Sequence, residues 1–258
     1  MKRLEGKWAL VTGSTRGLGR TTAEWLAREG ASVVVSGREQ DAVDASVEAM
    51  RGYGVASIGI PADLSRYEDA HRLAEETLAQ AGRLDILVNN AGMSIRNSFW
   101  KFSDADWDYQ MNVNVRSPFI LAQAAAKHFI ERGTRGRIVN ISTIGATACH
   151  SNAAIYNLAK GGVETMTRNM AFELGPHGVT VNCVAPGAIP DKPGTAHLPA
   201  HDEYARKFIP VGRAGKAEDI AHAVLFFCLP ESEFTTGQTL LVDGAHATYV
   251  PEMWLLNR

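Results

Sequence analysis

Trp8-Ala9-Leu10-Val11-Thr12-Gly13-Ser14-Thr15-Arg16-Gly17-Leu18-Gly19 begins as a short apolar run without alternation and passes directly into glycines. An apolar run of this kind is the pattern of a strand covered on both faces. Helix-compatible residues from Arg20 to Glu29 follow and close at Gly30. Strand, glycine-rich turn and helix in that order form a phosphate-binding device. The glycines let the backbone turn tightly and approach a pyrophosphate, whose charge is stabilised by the free amides and positive dipole end of the helix. The spacing is G-x-x-x-G-x-G, unlike the G-x-G-x-x-G of the commonest dinucleotide fingerprint, and its place between a strand and a helix gives it weight. The pattern then repeats. Ser32 to Ser36, Val55 to Ile60 and Leu84 to Val88 read as strands, with helices over Glu39 to Arg51 and Arg66 to Ala81 between them. Such alternation predicts an α/β fold, a doubly wound parallel sheet of Rossmann type flanked by helices.

Composition limits the partners. The 258 residues are 45% hydrophobic and 21% charged, enough for one domain with a substantial core. Lys+Arg 26 against Asp+Glu 28 gives a net charge of -2, which argues against attraction to nucleic acid or anionic membrane and leaves small molecules or further copies of the chain as partners. Cys149, Cys183 and Cys228 show no CxxC spacing, and the eight histidines form no HxH or HExxH cluster, so neither a disulfide framework nor a metal site is expected. The first residues lack a signal-like apolar run and no later stretch reads as a membrane span, so a soluble cytoplasmic protein is expected.

Two further stretches carry chemistry. At the end of the second strand, where an NAD-preferring fold offers a carboxylate to the ribose, this chain has Gly37-Arg38, and Arg16 lies in the glycine loop. Two guanidinium groups suit a ribose 2′-phosphate, which points to NADP(H). Asp63, followed by Leu64, is either an acid at a helix start or an adenine contact. Further along, Tyr156 and Lys160 stand four apart, so on a helix they share a face. A cation held near a phenol favours the phenolate and brings it toward the working range of an acid/base.

With Asn89-Asn90-Ala91-Gly92 the chain resembles the short-chain dehydrogenase/reductases, from about Leu4 to Gly244. Thr12-Gly13-x-x-x-Gly17-x-Gly19, Tyr156-x-x-x-Lys160, Pro186-Gly187 and Val242-Asp243-Gly244 also match that family, including members similar to carrier-protein reductases and to sugar or polyol dehydrogenases. The resemblance implies seven strands and a hydride transfer between NADP(H) and a secondary alcohol or its carbonyl. It places cofactor contacts on Gly13, Ser14, Thr15, Arg16, Gly17, Leu18, Gly19, Gly37, Arg38, Asp63, Leu64, Asn90, Ala91, Gly92, Tyr156, Lys160, Pro186, Gly187 and Ile189. As catalytic residues it implies Tyr156 exchanging the proton, Lys160 lowering its pKa and binding the nicotinamide ribose, and Asn114 holding a water of the proton relay. It also implies a hydroxyl donor, which ungapped counting puts at Thr143, with Ser142 one residue earlier.

Two positions depart from the family, Thr143 where it carries a serine and another after the sixth strand. Asp191 stands where a threonine usually touches the nicotinamide carboxamide, so either Thr195 takes over that contact or no residue does. Residues 188–212 are expected to form a substrate lid. Ser94, Arg96, His150 and Asn152 are polar where a steroid or fatty-acyl site would be apolar, which suggests a sugar, polyol or hydroxy acid as substrate. The apolar tail, residues 245–258, and the habit of the family suggest a homotetramer. Two rival readings remain, an NAD-dependent dehydrogenase of the same family and a non-catalytic NADP-binding sensor of the same fold.

Overall fold

The computed structural model describes residues 2–190 and 200–248. The expected alternation is present: β1 (Trp8–Val11), α1 (Gly17–Arg28), β2 (Ser32–Gly37), α2 (Gln40–Arg51), β3 (Ser57–Pro61), α3 (Tyr67–Ala81) and β4 (Ile86–Asn89). Then come α4 (Asp104–Met111), α5 (Ser117–Arg132), β5 (Arg137–Ile141), α6 (Ala154–Leu174), β6 (Thr180–Pro186), α7 (Ala200–Phe208), α8 (Ala217–Cys228) and β7 (Thr239–Val242). The strands form one seven-stranded sheet in the order β3-β2-β1-β4-β5-β6-β7, and every pairing is parallel. The central strands β1, β4, β5 and β6 are short and buried on both faces, so successive side chains feed opposite cores. Ala9 and Val11 pack with Val33, Val35, Leu26 and Val224 on the side of α1 and α8. Leu10, Val34, Leu87 and Ile138 pack with Leu73, Leu121 and Phe129 on the side of α3 and α5.

Strand order reverses between β1 and β4, and there the connections leave toward opposite faces, opening a crevice at the carboxyl ends of the strands. The glycine loop, Gly37, Asn89 to Gly92, Ser142 and Thr143, and Pro186 to Gly187 all follow strand ends at that edge. Two features differ from the sequence reading. Helix α1 starts at Gly17 rather than Arg20, because Gly13 and Gly17 take left-handed φ values of 63° and 54° and tighten the turn. The expected lid contains a helix, α7, whose Ala205 is buried. Asp191 and Thr195, with most of the tail, lie outside the described residues.

Candidate active site

The cradle begins at Thr12. Its Oγ1 accepts from the backbone amides of Asn90 and Ala91, each at 3.0 Å, while Asn90 Nδ2 donates to the Thr12 carbonyl at 2.8 Å. These bonds bind the glycine loop to the end of β4. Packing there leaves no room for a side chain: a Cβ on Gly19 would come within 2.3 Å of the Gly13 carbonyl oxygen, and one on Gly37 within 2.5 Å of Thr15. Helix α1 has no side-chain cap and no acid in its first turn, so its positive end is left for an anion. Arg16 in this loop and Arg38 after β2 are both exposed. These features fit a dinucleotide pyrophosphate.

Other cofactor candidates are placed less directly. Ser14 is fully buried; its Oγ donates to the Val11 carbonyl at 2.6 Å and accepts from the Ser36 amide at 3.1 Å, so its side chain closes the loop instead of facing a ligand. Asp63 accepts from the Ser65 amide at 3.0 Å in a tight turn before α3. Leu64 is a core residue, leaving only its backbone for a nucleotide. Gly187 lies against Asp243, where a Cβ would approach to 2.6 Å, and Ile189 packs on the core beneath Gly215.

The reacting groups meet on α6. Tyr156 is hydrogen-bonded to the Thr143 side chain, and Lys160 Nζ donates to the Ile141 carbonyl at 2.7 Å. Burial pushes the Tyr156 phenol up to about 12, opposed by the Arg96 charge and the Thr143 hydrogen bond. The Lys160 ammonium, the cation expected to lower that phenol, lies 5.8 Å from the Tyr156 ring centre while it holds the strand carbonyl, and Arg96 supplies a charge that lowers the phenol.

The two adjacent hydroxyls are separated by their partners. Thr143 has an extended φ of -166°, and its oxygen accepts from the Gly145 amide at 3.3 Å, which leaves its proton for Tyr156. Ser142 is held two turns further along α6, donating to Glu164 Oε1 at 2.8 Å. Of the two hydroxyls, the one on Thr143 is bonded to Tyr156 and the one on Ser142 is taken up by Glu164.

Asn114 lies in a π-helical turn, Asn112–Arg116, between α4 and α5. Its Nδ2 donates to the carbonyls of Met93 and Gln110, both at 2.8 Å, and its Oδ1 accepts from the Met93 amide at 3.1 Å. Both amide protons are therefore committed to fastening the loop after β4, which fixes the position of Asn114. A Cβ on Gly92 would meet Asn114 Oδ1 at 3.2 Å and Lys160 Nζ at 3.4 Å, so the two groups border one small space. Asn112 is directed elsewhere, to the Ser65 carbonyl.

The substrate candidates lie on two loops that clasp each other. Arg96 Nη1 donates to the Ser151 carbonyl at 3.2 Å and the Asn97 amide to the Asn152 carbonyl at 2.9 Å. His150 lies over Gly145, where a Cβ would touch its ring at 2.4 Å, and the Ser94 hydroxyl is buried beside this loop. Sequence reasoning missed Gln110, fully buried, whose Oε1 accepts from the Ile95 amide at 3.0 Å and supports the same loop. Its signal was a polar residue four before Asn114, on the same helix face.

Fold and site together define an α/β oxidoreductase built around a dinucleotide cradle. A family described as enoyl-(acyl carrier protein) reductase matches residues 13–245. The chain is 39% identical, over 95% of its length and 98% of the other, to the (2S)-[(R)-hydroxy(phenyl)methyl]succinyl-CoA dehydrogenase subunit BbsD of Thauera aromatica. It is 37% identical to gluconate 5-dehydrogenase of Gluconobacter oxydans, covering 93% and 94% of the two chains. Among solved structures, a gluconate 5-dehydrogenase from Burkholderia cenocepacia in complex with NADP and tartrate superposes with a TM-score of 0.89 at 33% identity, over 96% of this chain and 98% of that one. The chain belongs to the short-chain dehydrogenase/reductase family.

Proposed function

We propose that this oxidoreductase uses NADP(H) to interconvert a secondary alcohol and a ketone on a polar substrate that carries a carboxylate, of the sugar-acid or hydroxy-acid class. The observation that carries this reading is the Arg96 charge acting on the Tyr156 phenol, because a cation so near the reacting group can also hold an anionic substituent of the substrate. Relatives support it: gluconate 5-dehydrogenase and 2-dehydro-3-deoxy-D-gluconate 5-dehydrogenase are both named for sugar acids. When bound, the nicotinamide supplies or accepts the hydride. Tyr156 gives its proton to the carbonyl oxygen in reduction and removes it from the alcohol in oxidation. Thr143 stabilises charge on that oxygen, and Lys160 and Asn114 hold the floor of the site. A site with these groups in place supports an enzyme over a non-catalytic sensor.

The test is a panel of gluconate, 5-keto sugar acids, tartrate, neutral polyols and acetoacetyl thioesters, followed by nicotinamide absorbance with NADP(H) and NAD(H). Activity confined to the sugar or hydroxy acids, with KM raised at least ~10-fold in Arg96→Ala, is the expected result. Turnover of thioesters alone would refute the carboxylate assignment.

Assembly belongs to the same reading. Phe119, Ile130, Leu158 and Phe172 are exposed on α5 and α6, and Phe226, Leu240 and Leu241 on α8 and the edge strand β7. Two such apolar surfaces support a homotetramer, and three cysteines without paired spacing fit a reducing cytoplasm. Among the described residues no helix is long and apolar enough to cross a membrane. Light scattering should give four copies for the native chain and fewer for Phe172→Asp; a monomeric native chain would refute the assembly.

A further inference from the structure

Helix α6 presents a third polar residue in line with its two reacting ones. Tyr156, Lys160 and Glu164 are four apart, and each takes hold of one of three consecutive residues at the end of β5. Tyr156 bonds the Thr143 side chain, Lys160 Nζ the Ile141 carbonyl at 2.7 Å, and Glu164 Oε1 the Ser142 hydroxyl at 2.8 Å. Glu164 is only 8% exposed. A carboxylate at such depth is costly unless it is hydrogen-bonded, and on this face of α6 its neighbours Val163 and Thr167 show that uncharged residues fit the packing.

We propose that Glu164 is a positioning residue: by holding the Ser142 side chain toward α6, it fixes the chain end so that Thr143 faces Tyr156. The physical link is adjacency. Ser142 and Thr143 are neighbours at the end of β5 and both are held against α6, so anchoring Ser142 on Glu164 sets where the chain end lies and hence where the Thr143 hydroxyl meets Tyr156. Ser142 Oγ also lies 3.3 Å from the Lys160 carbonyl, so without the carboxylate the hydroxyl has a second acceptor to turn to. The backbone does not depend on Glu164, because the Ser142 amide donates to the Val184 carbonyl at 2.8 Å. Removing the carboxylate therefore alters the aim of the strand end more than its existence. Its consequence reaches the reaction through Thr143, whose hydrogen bond is one of the two influences that lower the Tyr156 phenol.

This inference rests on the assignment of Thr143 to the site, and the experiment separates the two. Threonine methyl groups labelled with carbon-13 are followed by NMR, the Thr143 signal being identified by its loss in Thr143→Ser. In Glu164→Ala that signal should move, and in Glu164→Gln, which keeps an acceptor of the same length, it should return. With the substrate found in the panel, Glu164→Ala should lower kcat about ~10-fold at nearly constant KM and move the rising limb of alcohol oxidation to higher pH, while Glu164→Gln restores both. The double variant with Thr143→Ala should be no slower than Thr143→Ala alone. Ser142→Ala removes the same hydrogen bond without a large cavity and carries the test if Glu164→Ala does not fold. A stationary Thr143 signal overturns the inference, as does unchanged kcat in Glu164→Ala when Thr143→Ala is impaired, or a glutamine variant that behaves like the alanine one. Unchanged kcat in Thr143→Ala itself overturns the assignment of Thr143, whatever Glu164 does.

Discussion

In the proposed reaction Tyr156 is the proton donor of the reduction. Burial raises its pKa to about 12, so at neutral pH the phenol carries the proton a carbonyl oxygen needs on reduction. Tyr156→Phe should leave the fold and cofactor binding intact and lower turnover at least ~10²-fold, as measured by steady-state rates beside nucleotide fluorescence titration. Oxidation runs the other way, needs the phenolate, and should accelerate as pH rises. Because Arg96 is the largest of the influences lowering that pKa, Arg96→Ala should shift the rising limb of oxidation toward still higher pH. A limb that stays in place would show that the guanidinium does not act on the phenol. Thr143→Ala should cost activity strongly and Thr143→Ser retain most of it, since serine keeps the hydroxyl and loses only the methyl. Thr143 and Ser142 were equal as letters in the sequence, apart from a count back from Tyr156. They became distinct only once Glu164, twenty-two residues from Ser142, was seen to bind one of them.

Among the elements, the loop from β1 to α1 and the end of β2 decide the nucleotide. The uncapped first turn of α1 offers amides to a pyrophosphate, and Arg16 and Arg38 stand exposed beside it with no acid at the end of β2 before Glu39. A 2′-phosphate would gain charge-assisted hydrogen bonds there, weakened by solvent and salt, so a preference for NADP(H) of about 30- to 200-fold in kcat/KM is expected. Arg16→Ala with Arg38→Ala should erase most of it, chiefly by raising KM for NADP(H), and added salt should erode it in the native chain. Equal use of both nucleotides by the native chain would leave the two arginines without this role. These elements were legible because turn chemistry is local. The π-helical turn at Asn112–Arg116 was not, since nothing in the spacing of Asn112 and Asn114 says which of them turns inward.

At the scale of the whole molecule, burial couples stability to alkaline pH. Cys183 and Cys228 are pushed up to about 12, both mainly by burial and Cys183 also by the Glu164 carboxylate. In the unfolded chain these thiols ionise from about ~9, so their contribution is fully present below that pH and is lost as pH rises toward 12. Within that window each thiol should reduce stability by up to about 1.4 kcal/mol per pH unit. Urea unfolding of the native chain and of Cys183→Ala with Cys228→Ala at pH 8 and 10.5 should show a flatter pH dependence in the variant; equal slopes would exclude the thiols as the source. The sequence by itself determined the parallel α/β alternation, the glycine cradle and the helical spacing of Tyr156 and Lys160, because hydrophobic period, turn residues and i, i+4 geometry are properties of adjacent residues. Only the tertiary structure decided that Lys160 is engaged by Ile141, that Arg96 acts on the phenol, that Asn114 serves as a fastener, and that Ser142 turns to Glu164. Each of these depends on which distant side chains the crossings of the sheet bring together, and on how little water remains between them.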